Sequence, residues 1–173
     1  MSAVRRPALG TLLFALLASV PIGLVPWIIS GWRRQTPLIG GEPSRWIGVM
    51  LLLVGLPLWG HAVVRFVRQG HGTPAPVAPP KRLVVTGPYR YVRNPMYIGV
   101  LAMIVGQALF LGSRGVVIYA LCAGLGFHLF VVLYEEPTLR RRFGEEYLEY
   151  CRQVRRWLPR WPAAPDRSEA APD

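Results

Sequence analysis

Four apolar blocks constrain the fold of this chain more than any motif does. They cover residues 9–30, 46–67, 96–111 and 115–134. The first block carries no charge and is about as long as the roughly 20 residues that cross a bilayer core. Backbone polar groups in a bilayer must be paired within the chain, so each block is expected to be a helix. The sequence therefore predicts an all-α integral membrane protein with about four transmembrane helices.

Breaks within and between the blocks refine this prediction. Pro21 and Pro26 are expected to kink the first helix, which membrane helices tolerate. Arg5 and Arg6 precede that block, so a signal peptide is an alternative, but three further blocks favour a membrane helix. Ser113-Arg114 separates the last two blocks and predicts a tight helical hairpin. The third block is short, so it either spans or is re-entrant.

The distribution of positive charge predicts the orientation. The net charge is +11, and the apolar blocks are too long for a soluble nucleic-acid-binding protein. With four spans, sixteen of the twenty Lys and Arg residues share one side with both termini, and four lie on the other. By the positive-inside rule both termini are cytoplasmic, as in a multi-pass protein of a bacterial inner membrane.

The C-terminal region has a different pattern. Residues 136–157 repeat apolar side chains at helical spacing, which predicts an amphipathic helix on the membrane surface, with Gly144 as a break. Residues 70–80 are Pro-rich, and residues 160–173 are typical of a disordered tail. We expect one domain over residues 1–159. The apolar positions of the helix are Leu139, Phe143, Tyr147, Tyr150, Val154 and Trp157.

The segment TGPYRYVRNPMYIG, residues 86–99, carries unusual chemistry beside the third block. Asn94 is a good N-cap and Pro95 a good first helical residue, so the third helix is predicted to start there. The positive helix end, with Arg90 and Arg93 nearby, would attract an anion. The alternative is an interfacial anchor, in which tyrosines and arginines contact lipid head groups.

Two adjacent carboxylates, Glu135 and Glu136, close the fourth block. A carboxylate that turns into a membrane protein is costly and usually functional. With the arginine-rich segment on the same side, the pair predicts a pocket for a zwitterion. The histidines have no metal-binding spacing, so no metal site is predicted.

The two segments together, TGPYRYVRNPMYIG and EEPTLRRRFGEEYLEYCRQVRRWLP, resemble the isoprenylcysteine carboxyl methyltransferase family and its phospholipid methyltransferase relatives. The resemblance covers residues 81–159. It implies an integral-membrane enzyme that uses S-adenosyl-L-methionine, without a Rossmann domain. The cofactor would lie in a cytosol-facing pocket between the C-terminal segment and the connector of the second and third blocks, residues 68–95. The resemblance also implies a lipophilic substrate that enters from the bilayer.

Residue by residue, the resemblance implies a cofactor site that includes a strand-like approach over residues 81–84. The cofactor-binding residues would be Lys81, Leu83, Val84, Tyr89, Arg90, Asn94, Pro95, Met96, Tyr97 and Glu135. The catalytic candidates are Arg93, Tyr97 and Glu136. Two positions depart from the prenylcysteine enzymes. Asn94 stands where they usually have histidine, and Val131 stands where the eukaryotic members have an arginine for the substrate carboxylate.

The predicted reaction is direct methyl transfer to a nucleophile on a lipophilic molecule, where the protein mainly aligns the reacting atoms. Carboxylate, amine, thiol and phenol acceptors all stay open. An amine or thiol needs a base, for which Tyr97 and Glu136 are both candidates. A sterol-type reductase that uses NADPH and a non-catalytic membrane scaffold are the alternatives; the segment FGEEYLEY favours the methyltransferase.

Overall fold

The computed structural model describes residues 20–70 and 82–161, and these residues form helices without a β-strand. The remaining predictions, on residues 9–19, on the Pro-rich part of the connector and on the tail from 162, lie outside the described residues. Five helices are labelled here: α1 (Val20–Ser30), α2 (Pro43–Gly70), α3 (Pro95–Leu111), α4 (Arg114–Phe143) and α5 (Glu145–Gln153).

Two of the described helices are long and apolar enough to cross a membrane. An 18-residue stretch within Pro43–Arg68 has a mean hydropathy of 2.1, and one within Arg114–Phe143 has a mean hydropathy of 2.4. The described part of α1 and the 17 residues of α3 are shorter apolar helices. The prediction of an all-helical protein is confirmed, and the number of membrane passes stays a prediction.

Helices α2 and α3 run antiparallel and approach each other at two glycine pairs. A Cβ added to Gly55 would lie 2.9 Å from the carbonyl oxygen of Gly99, and one added to Gly48 would lie 2.6 Å from that of Gly106. Only glycine allows this distance between backbones, as at other close contacts between membrane helices. The two glycine pairs are seven residues apart on each helix, so the helices stay close over two turns.

The first helix is irregular because Pro26 has no backbone N–H. Its first turn, Val20–Leu24, is wide, and the regular part, Val25–Ser30, has Pro26 in its first turn. Two carbonyls upstream of Pro26 accept from side chains of other helices. Gln107 Nε2 donates to the Ile22 oxygen at 2.8 Å, and the Tyr119 hydroxyl donates to the Pro21 oxygen at 3.0 Å. Side-chain donors thereby pair groups that would be costly to leave unpaired in hydrocarbon.

The hairpin between α3 and α4 forms where the sequence predicted it. Gly112 ends α3 with φ +74°, a conformation that favours glycine. Ser113 then caps α4, and its hydroxyl accepts from the Val116 amide.

The fourth helix continues past its predicted end at Tyr134. A wide turn, Val131–Glu135, interrupts it, and the helix then runs on through Glu136–Phe143. Gly144, with φ +52°, separates it from α5, which confirms the predicted break. The predicted helix over 136–157 is too long, because α5 ends at Gln153.

The apolar stripe of the C-terminal region packs partly inside the protein. One cluster contains Tyr147, Tyr150 and Val154 together with Leu83 of the connector. Contact of this region with the membrane surface stays a prediction. The strand-like approach over residues 81–84 is not observed, because residues 82–85 form no strand.

Candidate active site

A hydroxyl and a carboxylate meet where α3 begins and the wide turn of α4 ends. The Tyr97 hydroxyl donates to Glu135 Oε2 at 3.0 Å. The Tyr97 ring lies 5.0 Å from the Phe127 ring and 6.4 Å from the Trp157 ring, measured between centroids. The Tyr97–Glu135 pair therefore lies against aromatic faces, at the end of the apolar helices that the arginine-rich connector covers.

The neighbouring carboxylate has different partners. Glu136 is buried, with its side chain 5% exposed. Arg156 donates to both of its oxygens, from Nε at 2.7 Å and from Nη2 at 2.8 Å. Arg93 Nη1 lies 3.2 Å from Oε1, and Arg140 lies 3.8 Å from Oε2. We call these four residues the Glu136 ion cluster. The bidentate contact from Arg156 and the single contacts from Arg93 and Arg140 compensate the buried charge of Glu136.

The ion cluster changes the proton affinity of Arg156. Its hydrogen bonds to Glu136 raise the pKa of the guanidinium above the ordinary value. Both oxygens of Glu136 are occupied by charged donors, so this carboxylate has little capacity to accept a further proton.

The residues that follow α5, 154–161, form a segment that we call the C-terminal strap. It lies along the connector through two backbone hydrogen bonds. The Arg93 amide donates to the Arg155 oxygen at 2.9 Å, and the Arg160 amide donates to the Tyr91 oxygen at 2.8 Å. These bonds, with the Glu136 ion cluster, hold the strap against the start of α3.

Asn94 precedes α3, as predicted, but its side chain does not cap the helix. Instead its Nδ2 donates to the backbone oxygen of Arg156 at 3.1 Å. The prediction of the helix start is confirmed, and the prediction of the capping hydrogen bond is wrong. The reason is that the strap offers a carbonyl within reach of the buried amide, and a buried donor needs an acceptor.

Trp157 of the strap lies beside Tyr97. Its indole Nε1 donates to His128 Nδ1 at 3.1 Å, and its ring packs edge-on with the Tyr97 ring. The sequence pattern places Trp157 only at the end of an amphipathic stripe and indicates no partner for His128. Their meeting depends on a turn after Gln153 that periodicity does not indicate.

The remaining predicted cofactor residues have several environments. Val84 and Tyr89 are buried against Ala62 of α2, with Met96 packed beside them. The Tyr150 hydroxyl donates to the Tyr89 oxygen at 2.7 Å. These residues attach the connector to α2 and α5.

The last members of the predicted set lie apart from that cluster. Leu83 packs in the cluster of α5, Pro95 is buried at the start of α3, and Arg90 is exposed beside the Tyr91 ring. Lys81 lies outside the described residues. The structure thus brings together Tyr97 with Glu135, and Arg93 with Glu136, but not all predicted residues around one point.

Comparison with known proteins identifies the group to which this arrangement belongs. A profile of the phospholipid methyltransferase family matches residues 43–146, which include α2, α3, α4 and both glutamates. The chain belongs to the phospholipid methyltransferase family. That assignment makes it a member of an enzyme family of membrane methyltransferases.

Relatives of this phospholipid methyltransferase family member include two rice proteins. Each is named "Probable protein-S-isoprenylcysteine O-methyltransferase", one from Oryza sativa subsp. indica and one from subsp. japonica. Each is 31% identical over 116 residues, 66% of this chain and 60% of the relative. The chain thus spans about three fifths of the length of these relatives. An uncharacterised protein of Haemophilus influenzae is 36% identical over 67 residues, which is 36% of this chain and 100% of that protein.

Proposed function

We propose that this protein transfers a methyl group from S-adenosyl-L-methionine to a lipophilic acceptor at the membrane–cytosol interface. The observation that carries the proposal is the Tyr97–Glu135 hydrogen bond, surrounded by aromatic rings at the end of the apolar helices. Membership of a methyltransferase family supplies the reaction class. The substrates in the names of the rice relatives are consistent with a lipophilic acceptor.

The residues around this pair fit the cofactor. S-adenosyl-L-methionine carries a sulfonium, an ammonium, a carboxylate and ribose hydroxyls. Glu135 offers a carboxylate to the ammonium or the ribose, and aromatic faces attract a cation such as the sulfonium. Arg90 is exposed and offers a guanidinium to the cofactor carboxylate. When bound, the cofactor supplies an electrophilic methyl group.

The protein's own contribution is mainly alignment. Tyr97 fixes the Glu135 carboxylate through its hydroxyl, and Phe127 and Trp157 fix the Tyr97 ring. A positioned acceptor gains from proximity without a covalent enzyme intermediate. The aromatic walls reduce access of water, which strengthens the electrostatic interactions of Glu135.

An amine or thiol acceptor must also lose a proton. Of the two candidate bases, Glu136 is held by arginines on both oxygens. Tyr97 is hydrogen-bonded to a carboxylate that has no arginine contact among the described residues. We therefore propose that the Tyr97 hydroxyl takes a proton from the acceptor while it passes its own proton to Glu135, and that Arg93 and Glu136 hold the strap in place.

The membrane arrangement belongs to the same proposal. Four spans would place both termini and the connector in the cytosol, with the C-terminal helices at the membrane surface. The exposed arginines of α4, Arg140, Arg141 and Arg142, would then lie on the cytosolic side, as the positive-inside rule expects.

Binding and transfer assays on the full chain test the proposal. In detergent micelles, S-adenosyl-L-methionine should raise the unfolding temperature, whereas NADPH should not. Membranes that contain the protein should transfer a labelled methyl group to the lipid fraction. A shift by NADPH alone would favour the reductase alternative, and the absence of any shift or transfer would favour the scaffold.

A further inference from the structure

An apolar groove runs along α3 from the candidate active site towards the middle of the membrane-spanning region. Its volume is about 440 Å³, within the roughly 300–1,000 Å³ of ligand pockets. Its walls carry no charged residue. They are formed by Leu51, Ile98, Leu101, Ala102, Val105 and Trp157.

The four α3 residues of the groove lie on one face of the helix, because they are spaced by three, one and three positions. From Ile98 to Val105 they cover about 10 Å along the axis. Leu51 borders the far part, between the two glycine contacts of α2. The groove therefore has a defined length and direction.

One end of the groove coincides with the active-site residues. Ile98 follows Tyr97 in the chain, and Trp157, which contacts the Tyr97 ring, is also a wall of the groove. His128 fixes the Trp157 ring through the indole N–H. The groove is thus continuous with the Tyr97–Glu135 pair through one shared side chain.

The groove differs from an ordinary lipid-facing surface in the exposure of its side chains. Other apolar residues on α4, such as Ile118 and Leu121, are 62% and 70% exposed. The groove residues Ile98, Leu101 and Ala102 are half-buried instead. A hydrocarbon chain is as well solvated by lipid as by protein, so preference for the groove must come from close packing.

We propose that the groove binds one hydrocarbon chain of the methyl acceptor, and that Trp157 is a specificity-determining residue at its cytosolic end. The chain lies along α3 from Ile98 to Val105, and its reactive end stops at the Trp157 ring beside Tyr97. The assignment of the occupant as the acceptor rests on the proposed function. The fit of a chain to the groove does not depend on it.

Photolabelling tests the groove. The probe is a palmitic acid analogue with a diazirine near its methyl end, added to the full-length protein in detergent micelles, and adducts are located by mass spectrometry. We expect adducts at Leu51 and Val105 several-fold above those at Ile118. Adducts that simply follow exposure, with Ile118 and Leu121 labelled as strongly, would overturn the proposal.

Two matched variants control for bulk. Val105→Trp fills the groove from an exposed position and should lower labelling of Leu51 at least several-fold. Ile118→Trp adds the same bulk on an exposed face of α4 and should leave it unchanged. Unfolding temperatures of both variants show that they are folded. Equal labelling of Leu51 in the two variants would contradict the groove.

A third pair of variants tests Trp157. Trp157→Ala should raise the probe concentration for half-maximal labelling several-fold, and Trp157→Phe should restore most of the affinity, because a ring still closes the groove. An unchanged concentration in Trp157→Ala would remove Trp157 from the proposal. Binding of S-adenosyl-L-methionine is measured separately, so loss of the cofactor alone would count against the proposed function and not against the groove.

Discussion

Arg156 donates two hydrogen bonds to Glu136 across twenty positions of the chain, at 2.7 and 2.8 Å. The adjacent Glu135 accepts instead from Tyr97 of α3. Successive residues on a helix point in different directions, about 100° apart. Two identical side chains next to each other thus have separate partners, one towards the strap and one towards the candidate ligand site.

Substitution of the two glutamates should separate these roles. Glu135→Gln should weaken binding of S-adenosyl-L-methionine about 10- to 100-fold, as expected for one hydrogen bond to a charged group. The unfolding temperature should change little, because Glu135 has no arginine contact among the described residues. Isothermal titration measures the affinity, with Tyr134→Phe on the exposed side of α4 as control. Equal affinity in Glu135→Gln and wild type would contradict the assigned role.

Glu136→Gln should act mainly on stability. It leaves three guanidiniums without their carboxylate, so we expect a loss of about 1.5–3 kcal/mol. Thermal unfolding in detergent measures it. Glu149→Gln is the matched control, because Glu149 pairs with Arg152 on the exposed face of α5, where an ion pair contributes little. If both variants unfold at the wild-type temperature, the ion cluster does not stabilise the strap.

Part of the site was predictable from local sequence and part was not. The start of α3 at Pro95, the hairpin at Ser113 and the break at Gly144 follow from local backbone preferences, and all three are confirmed. The sequence predicts the adjacent glutamates as candidates because a carboxylate that turns into a membrane protein is costly and usually functional. The different partners of the two glutamates were not predictable, because Arg93 lies in the connector and Arg156 lies in the strap.

Contacts between residues far apart in the chain explain the other features that the sequence does not predict. The sequence pattern gives Arg156 no role and Trp157 only a place in the apolar stripe, because only the fold brings residues 154–161 onto the connector. Asn94 was predicted to cap α3, and only the nearby strap carbonyl explains why it does not. Likewise, the glycines of α2 and α3 are recognisable as contacts only when the register of the two helices is known.

The helix contact predicts opposite effects of two alanine substitutions. Gly99→Ala puts a Cβ 2.8 Å from the Trp59 Cβ, so it should cost about 1–3 kcal/mol. Gly60→Ala, also in the helical pair, has no atom within 4 Å of its added Cβ. It should be neutral or stabilise by up to about 1 kcal/mol. Unfolding temperatures measured side by side decide, and the same loss at both positions would contradict the close contact.

The carbonyls that Pro26 leaves free predict a coupling with Gln107. In the wild-type background, Gln107→Leu should cost about 0.6–1.7 kcal/mol, the range for hydrogen bonds between membrane helices. In a Pro26→Ala background the cost should be smaller, because the new amide can pair with the Ile22 oxygen. A double-mutant cycle measures the difference. Strict additivity would show that the Gln107 bond is independent of the proline.

The four-span arrangement predicts which loops face the cytosol. In a background without Cys122 and Cys151, a cysteine at Arg160 should react with a membrane-impermeant maleimide only after inverted vesicles are made or the membrane is opened. A cysteine at Gly40, between α1 and α2, should react in intact cells. Reaction of both positions from the same side would exclude the three spans that this arrangement places between them.

The glycine contacts also fix the position of α2 relative to α3 along the helix axes. If α2 moved along its axis by one turn, about 5.4 Å, a larger residue would replace Gly55 at the contact with Gly99. The glycine contacts therefore permit only one register of the two helices. The C-terminal end of α2 holds Arg65 against the Gly87 turn of the connector. The position of Tyr97 and the strap along the axis of α2 is therefore determined by contacts of four glycines, which have no side chain of their own.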